Sequence, residues 1–202
     1  MKDLLALGRH GLAAVRVMIL LTLVLGLAYP LVLTGVAQLA MPWRANGSLV
    51  TVDGGRTTDP SQAVGSALIG QDSAAPGLFV GRPSLNGNDM LATGGSNLGP
   101  ESEDLLAAIE ERRAEVAARE GVAGAAVPPD ALTASASGLD PDISPAYAAL
   151  QVPRVARETG LPEGEVSRLV AEHTTGRGLG VLGEPRVNVL LLNLAVLAAA
   201  QG

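Results

Sequence analysis

An unbroken apolar stretch near the N-terminus is the strongest pattern in this sequence. Residues 17–40 are 24 consecutive positions without a formal charge, most of them Leu, Val and Ala. A helix of that length is about 36 Å long, and the hydrocarbon core of a bilayer is about 30 Å thick. The pattern predicts one transmembrane helix from Val17 to Ala40, which is too long for the apolar part of a cleaved signal peptide.

The rest of the chain alternates short apolar runs, turns and helical patterns. Strands are predicted at Leu49–Val52, Ala67–Ile69 and Leu78–Val80. Helices are predicted from Pro100 to Glu120, over Ala146–Leu150 and from Pro162 to Thr175. The apolar tail 187–200 is too short to span a bilayer and predicts a buried helix or a strand followed by a helix. The fold class is therefore α+β: a single N-terminal transmembrane helix followed by one mixed α/β extracytoplasmic domain.

The charges that flank the apolar stretch predict its orientation. Three basic residues precede it, namely Lys2, Arg9 and Arg16, whereas Arg44 is the one basic residue close behind it. Cytoplasmic flanks carry the excess of Lys and Arg, so residues 1–16 are expected in the cytoplasm and residues 44–202 outside. We thus expect a single-pass protein of the cell membrane.

The predicted span has features of its own. Gly26 and Gln38 are small or polar positions of the kind found where membrane helices pack together. Pro30, directly after Tyr29, lacks an amide hydrogen and is expected to kink the helix. Trp43 is placed to lie at the outer membrane interface. Association with other membrane helices is one interpretation, and an isolated lipid anchor is the alternative.

Charge and composition narrow the function of the outer part. From Pro42 onward there are 11 arginines against 19 aspartates and glutamates, a formal charge of −8. Such an acidic surface disfavours nucleic acid as a partner. The chain has no cysteine and four aromatic residues, so the domain must be held together by an aliphatic core without disulfides.

Candidates for catalysis and for metal binding are few. His173 is the one histidine of the outer part and lies on the apolar face of a predicted helix, where it is expected to pack rather than to act as a base. Asp140 and Asp142 flank a proline and favour a turn over a cation site. Several His or Cys ligands would be needed for zinc, and the sequence lacks them. No catalytic residue and no metal site is predicted.

A glycine-rich loop precedes the helix predicted at Pro100. Its residues Gly94, Gly95, Ser96 and Asn97 supply free amides close to a helix N-terminus, which can hold an anion such as a phosphate. The Gly-Lys-Ser/Thr ending of a Walker A motif is absent. The alternative is a tight loop that fixes the helix against the sheet.

Five motifs in one order carry a family resemblance. They are Gly81-Arg-Pro-Ser84, Gly94-Gly-Ser-Asn-Leu-Gly-Pro100, Ser137-Gly-Leu-Asp-Pro141 with Ile143-Ser-Pro145, Gln151 with Arg154-Val-Ala156, and Gly183-Glu-Pro-Arg-Val-Asn-Val189. Together with the N-terminal span, they closely resemble the C chain of the bacterial potassium-transporting ATPase, the KdpC family. The resemblance covers almost the whole sequence.

The resemblance implies an accessory subunit, not an enzyme, in a high-affinity, ATP-driven potassium import complex. Its implied partners are a channel-like chain that carries the ion, a P-type ATPase chain and a small peptide subunit. The family's C chain has been proposed to help the ATPase chain bind ATP, and Gln151 matches a glutamine linked to that contact. Potassium is the transported ion, and the resemblance implies no cofactor for this chain apart from the ATP of the family proposal.

Two other classes of function stay open from the residues. A membrane-anchored extracytoplasmic enzyme would need a base, for which His173, Asp140 and Asp142 are the candidates. A nucleotide-binding or solute-binding module would use the loop 94–97 or Gln151.

Overall fold

The computed structural model describes residues 2–72 and 75–201, with side chains from residue 6 onward. The chain divides into two compact units, Met1–Ser48 and Leu49–Gly202. Residue 1 of the predicted cytoplasmic segment and residues 73, 74 and 202 of the predicted outer domain lie outside the described residues.

The first unit is helical almost throughout. Helix α1 (Lys2–Leu23) continues through a π-helical turn (Val24–Ala28) into helix α2 (Tyr29–Ala40), and the short helix α3 (Pro42–Ala45) follows. Residues Ala6–Ala40 form one helix that is long and apolar enough to cross a membrane.

The predicted span lies within this helix, and its bounds Val17 and Ala40 stay a prediction. The helical backbone extends on the N-terminal side of the span as far as Lys2, because arginine favours helical backbone almost as strongly as leucine does. Arg9 and Arg16 therefore change the polarity of the helix without ending it.

The π-helical turn has a local cause in Pro30. Proline has no amide hydrogen and its ring displaces the carbonyl one turn back, so the regular bonding pattern cannot pass through this position. The amide of Tyr29 instead donates to the carbonyl of Val24, five residues earlier. The predicted kink position is thus a widened turn of the helix.

The second unit combines helices with short strands. Its helices are α4 (Glu103–Glu120), α5 (Pro145–Thr159), α6 (Glu163–Glu172) and α7 (Val189–Gln201). Its strands are β1 (Leu49–Val50), β2 (Gly65–Ser66), β3 (Asp142–Ile143), β4 (Thr174–Thr175) and β5 (Arg186–Asn188). An antiparallel pair β1-β2 and an antiparallel sheet β3-β5-β4 result. The α+β fold class is confirmed.

Helix α5 is longer than predicted and lies at the centre of the core. The helix expected over Ala146–Leu150 runs without a break past Pro153 to Thr159. An interior proline costs roughly 3 kcal/mol, yet Val152 and Val155 on the same helix are buried and hold it together by packing. The core is aliphatic, as expected, apart from the buried rings of Phe79 and Tyr147.

The start of α4 differs from the predicted one, whereas the tail takes one of its two predicted forms. Helix α4 begins at Glu103 rather than Pro100, because the Ser102 hydroxyl accepts from the amide of Leu105 and caps the helix there. The tail 187–200 is a strand followed by a helix, as predicted, with β5 leading directly into α7.

Two of the three predicted strands are wrong. Leu49–Val50 does form β1, but its partner is Gly65–Ser66 rather than Ala67–Ile69. Residues 78–80 form no strand with any described residue, although Phe79 is buried and its two neighbours are half-buried. Their backbone is bonded by side chains instead, which no alternation of apolar and polar residues can reveal.

Candidate functional site

The glycine-rich loop is bound to a neighbouring loop. The Gly94 amide donates to the carbonyl of Ser137 at 2.9 Å. A Cβ atom on Gly95 would lie 2.9 Å from the carbonyl oxygen of Ala136, so only glycine allows this close approach. Asn97, at a φ of 53°, donates from its side chain to the carbonyl of Gly95.

The rest of this loop gives little support to an anion site. The hydroxyl of Ser96 accepts from the amide of Leu98 at 3.4 Å. Helix α4 starts several residues later, and its first turn carries Glu103 and Asp104 behind the Ser102 cap. Carboxylates at a helix N-terminus repel an anion from it. The geometry therefore favours the structural interpretation of this loop.

The Gly81-Arg-Pro-Ser84 motif lies against the Ser137–Pro141 motif. Arg82 Nη1 donates to Asp140 Oδ2 at 2.9 Å, and its Nη2 donates to the carbonyl of Thr133. The Ser84 hydroxyl donates to the carbonyl of Gly138 at 2.8 Å. Gly138 has a φ of +73°, and a Cβ atom there would lie 2.2 Å from Asn86 Oδ1. Two motifs far apart in sequence thus form one hydrogen-bonded loop cluster.

The C-terminal motif joins the same cluster through β5. Arg186 forms an ion pair with Asp142 at 2.9 Å. The side-chain amide of Asn188 donates to Asp142 Oδ1 and to the carbonyl of Ala67. The Val189 amide donates to the carbonyl of Pro141. Motifs that are far apart in the sequence are therefore joined in the fold by hydrogen bonds to each other's backbone and by ion pairs.

Gln151 lies fully buried on α5, where its side chain bonds the backbone of Val80 in the segment 78–80. Its Oε1 accepts from the amide of Val80 at 2.8 Å, and its Nε2 donates to the carbonyl of Val80 at 3.0 Å. Oε1 also accepts from Arg154 Nη2 at 2.9 Å. Both lone pairs of that oxygen are therefore engaged within the domain.

Asn193 on α7 holds the same segment from another helix. Its Oδ1 accepts from the amide of Phe79 at 2.7 Å, and its Nδ2 donates to the carbonyl of Phe79 at 2.9 Å. Two side-chain amides thus provide the paired donor and acceptor that a neighbouring strand would normally provide. We call Gln151, Asn193 and residues 78–80 the amide clasp.

A buried charge network supports the clasp. Arg154 Nε donates to both carboxylate oxygens of Glu120, at 3.1 and 3.0 Å, and Arg154 Nη1 donates to the carbonyl of Leu78. The Glu120 side chain is completely buried and also accepts from Arg119. Arg119 in turn donates to the hydroxyl of Tyr147 at 2.9 Å. Burial raises the pKa of the Tyr147 phenol, so it remains protonated in the network.

A cavity of about 470 Å³ lies within the second unit. Its wall includes Arg82 and Asp140 on one side and apolar residues of α7, such as Leu190 and Leu194. Within the described part of the chain, the buried Nε of Arg82 has no hydrogen-bond partner. Neither Gln151 nor the loop 94–97 lines this cavity, so the structure does not gather the predicted nucleotide residues around it.

The candidates for an enzymatic base are held by structural contacts. His173 Nδ1 lies 2.9 Å from the carbonyl of Leu169, one turn earlier on its own helix. Asp140 is bonded to Arg82 and Asp142 to Arg186. Among residues 6–72 and 75–201, no group of three or more His, Asp or Glu side chains is close enough to hold a metal ion.

The polar residue of the predicted anchor finds its partner within its own unit. The side-chain amides of Gln38 and Asn46 bond each other in both directions, at 2.9 and 3.3 Å. Trp43 lies in α3, directly after the long helix. The assignment of Val17, Gly26, Ala40 and their neighbours as lipid-facing or helix-facing anchor residues stays a prediction.

Comparison with known proteins decides the family. The model of the family described as K+-transporting ATPase, c chain, matches residues 11–198. This chain belongs to the KdpC family. Potassium-transporting ATPase KdpC subunits from Kineococcus radiotolerans and Gemmatimonas aurantiaca are 54% and 55% identical to it. The alignments cover 98% and 87% of this chain, and 96% and 86% of those relatives.

A third KdpC subunit, from Acidobacterium capsulatum, is 49% identical over 92% of this chain and 96% of its own length. The resemblance inferred from the motifs is thus confirmed over nearly the full chain. As a KdpC chain, this protein is a subunit of a potassium-transporting ATPase, with one N-terminal helix suited to a membrane.

Sequence reasoning missed most of the buried polar network in this KdpC chain. Arg154 was noted only as part of a motif, and Glu120 and Asn193 were not singled out. A signal was available, because Asn193 stands alone inside an apolar helix of 13 residues. A buried amide in such a helix requires hydrogen-bond partners from elsewhere in the fold.

Proposed function

We propose that this KdpC chain is a non-catalytic subunit that stabilises the assembly of the potassium pump. Its partners would be the channel-like chain, the P-type ATPase chain and the small peptide subunit that the family resemblance implies. The strongest support is that the side chains of its motif residues form hydrogen bonds within the domain itself. Arg82, Asp140 and Gln151 bond other parts of the same domain, as expected of a scaffold.

The proposed location is the cell membrane, with the second unit on the extracytoplasmic side. The basic residues before the apolar helix, Lys2, Arg9 and Arg16, support a cytoplasmic N-terminus. Protease added to intact cells or spheroplasts should then digest residues from Leu49 onward and leave the membrane helix protected. Complete protection of the large domain would contradict this orientation.

Co-expression of the pump genes with and without this chain tests the assembly role. We expect that omission lowers both the recovery of intact complex and potassium-stimulated ATP hydrolysis to background. Full activity without this chain would contradict the proposal. As a matched control, His173→Ala in the complete complex should leave hydrolysis unchanged, whereas an enzymatic role of this histidine would require its loss.

Help with ATP binding stays a separate prediction. A nucleotide contact through Gln151 would require residues 78–80 to leave the clasp, because this side chain is bonded to Val80 at both ends. The geometry therefore favours assembly over nucleotide contact. Calorimetric titration of the full chain in detergent with ATP is the test. Saturable heat that Gln151→Asn removes without unfolding the chain would establish the nucleotide role.

The cavity supports one second candidate, a solute-binding function. It combines the unpaired Nε of Arg82 and the carboxylate of Asp140 with an apolar wall, which is typical of small-molecule sites. Titration of the same preparation with potassium ion and with small carboxylates tests it. Heat that Arg82→Lys abolishes would support a bound solute.

A further inference from the structure

The connection between β4 and β5 carries an exposed apolar turn. Residues 178–183, which we call the apolar hairpin tip, read Gly-Leu-Gly-Val-Leu-Gly and contain no polar side chain. Leu179, Val181 and Leu182 are 91%, 74% and 62% exposed. Three large aliphatic side chains within four residues are thus presented to solvent, and such a patch marks an interaction surface more often than a chance exposure.

The hairpin tip is an ordered element. Gly178 and Leu182 form an antiparallel bridge in which each amide donates to the other's carbonyl at 2.8 Å. Two further backbone bonds close the turn, from Gly180 to Arg177 and from Val181 to Gly178. An ion pair of 2.6 Å joins Arg177 and Glu184 at its base. The leucines are therefore held out by a defined backbone.

Leu179 is unfavourable for the isolated chain in two ways. Its φ of 51° lies in the left-handed region, where leucine is disfavoured and glycine or asparagine is tolerated. Its side chain also gains nothing from burial, since it is almost fully exposed. Backbone strain of this kind persists mainly where a local structure serves binding. Neither folding nor solubility explains a leucine here.

The residue composition of the hairpin tip distinguishes between a lipid surface and a protein as its binding partner. Proteins that insert into a membrane surface use aromatic and basic residues beside the aliphatic ones. The hairpin tip has neither, and it belongs to a region with a formal charge of −8, which provides no electrostatic attraction to a lipid surface. An uncharged apolar pocket on a protein fits its composition.

We propose that the apolar hairpin tip docks into an uncharged apolar pocket on the extracytoplasmic surface of a membrane-embedded partner subunit of the pump. The proposal rests on the accessory function and on the orientation proposed above. Burial of Leu179, Val181 and Leu182 in that pocket would contribute to the attachment of the second unit, because the removal of apolar surface from water is favourable in proportion to its area.

A double variant in the complete pump tests the docking. Leu179→Asn introduces a polar residue that tolerates the left-handed backbone. Val181→Thr introduces a hydroxyl group while keeping the side-chain shape and the branched Cβ atom. With an affinity tag on this chain, we expect the recovery of partner subunits after detergent extraction to fall about tenfold or more. Recovery within about twofold of the unaltered complex would overturn the proposal.

Leu91→Asn is the matched control, because Leu91 is 96% exposed on a loop outside the hairpin. Its partner recovery should equal that of the unaltered chain. Equal losses for both variants would mean that recovery follows surface hydrophobicity in general, and they would overturn the assignment to the hairpin. Omission of the whole chain is a separate arm: an intact pump without it would refute the accessory function itself.

A photocrosslink identifies the occupant directly and decides the matter if the double variant lowers the Tm of the chain. Benzoylphenylalanine in place of Val181, irradiated in whole cells, should give an adduct with a subunit of the pump. Adducts with lipid alone or with a second copy of this chain, or no adduct at all, would overturn the proposal.

Discussion

Residues 78–80 and residues 178–183 are both short apolar stretches outside the sheets, yet they are satisfied in opposite ways. In the first, Phe79 is completely buried and the backbone is bonded by the amides of Gln151 and Asn193. In the second, the backbone bonds itself and Leu179 is left in solvent. Hydrophobicity alone therefore does not determine which of these two segments is buried. The segment whose backbone groups find hydrogen-bond partners inside the domain is the one that is buried.

The comparison also separates two kinds of residue in this family member. The polar residues around the clasp act on folding, because each one satisfies a buried backbone group. The aliphatic residues of the hairpin tip add nothing to the folded monomer. Substitutions around the clasp should therefore lower the free energy of unfolding, whereas substitutions at the hairpin tip should lower the recovery of partner subunits.

The largest effect is expected from the carboxylate beneath the clasp. Glu120→Ala leaves the buried guanidinium of Arg154 without its counter-charge, which costs roughly 3–5 kcal/mol of unfolding free energy. Urea unfolding of the full chain in detergent micelles, followed by circular dichroism, measures it. The control is Glu110→Ala on the same helix, whose carboxylate pairs with Arg113 at 3.4 Å and is 71% exposed. A loss no larger than that of the control would contradict a structural role for the network.

The second largest loss of unfolding free energy is expected when either side-chain amide of the clasp is removed. Asn193→Ala removes one acceptor and one donor that bond the buried backbone of Phe79, and the loss of a buried hydrogen bond of this kind costs about 1–3 kcal/mol. Gln151→Ala should have a similar effect through Val80. The same unfolding experiment applies, with the exposed amide variant Gln62→Ala as the control. If Gln151→Ala unfolds like the unaltered chain, its amide is not needed for folding.

At the hairpin tip the stability effect is expected to be small and of opposite sign. Leu179→Asn relieves a left-handed backbone strain of about 1 kcal/mol for leucine, so the monomer should be unchanged or slightly more stable. The unfolding midpoint of the full chain in micelles measures this. A clear loss of stability would show that Leu179 serves the fold, and the contrast between the two regions would then disappear.

The smallest effect concerns the pH dependence at Asp142, beside the clustered motifs. Burial raises the pKa of this carboxyl above 3.8, and the charge of Asp140 adds to the rise against the opposing bonds of Asn188 and Arg186. The folded chain then holds the proton more tightly than the unfolded chain. Its contribution to stability is therefore present at acid pH and is lost as the pH rises through the folded pKa.

Asp142→Asn cannot titrate and tests this sign. Between about pH 3.5 and about pH 7, the stability of the variant relative to the unaltered chain should rise. Urea unfolding at both values gives the difference, with Asp89→Asn in an exposed loop as the control. A relative fall in the stability of the variant would reverse the assignment.

The sequence predicted the parts of this fold that depend on local pattern. The apolar helix, the body and the end of α4, and the succession of β5 and α7 all follow from periodicity and end signals. The continuous α5 and the bonding of residues 78–80 to side chains rather than to a strand were not predicted, because both depend on contacts distant in sequence. Gln151 was identified through the family, but only the structure shows which backbone it bonds.

The position of Asn193 in α7 has a consequence for biogenesis. It bonds Phe79 across 114 residues of chain, from the last helix that the structure describes. The segment that emerges early during synthesis therefore waits for one of the latest elements before its backbone is satisfied. Completion of the clasp is therefore a late step in the folding of the second unit.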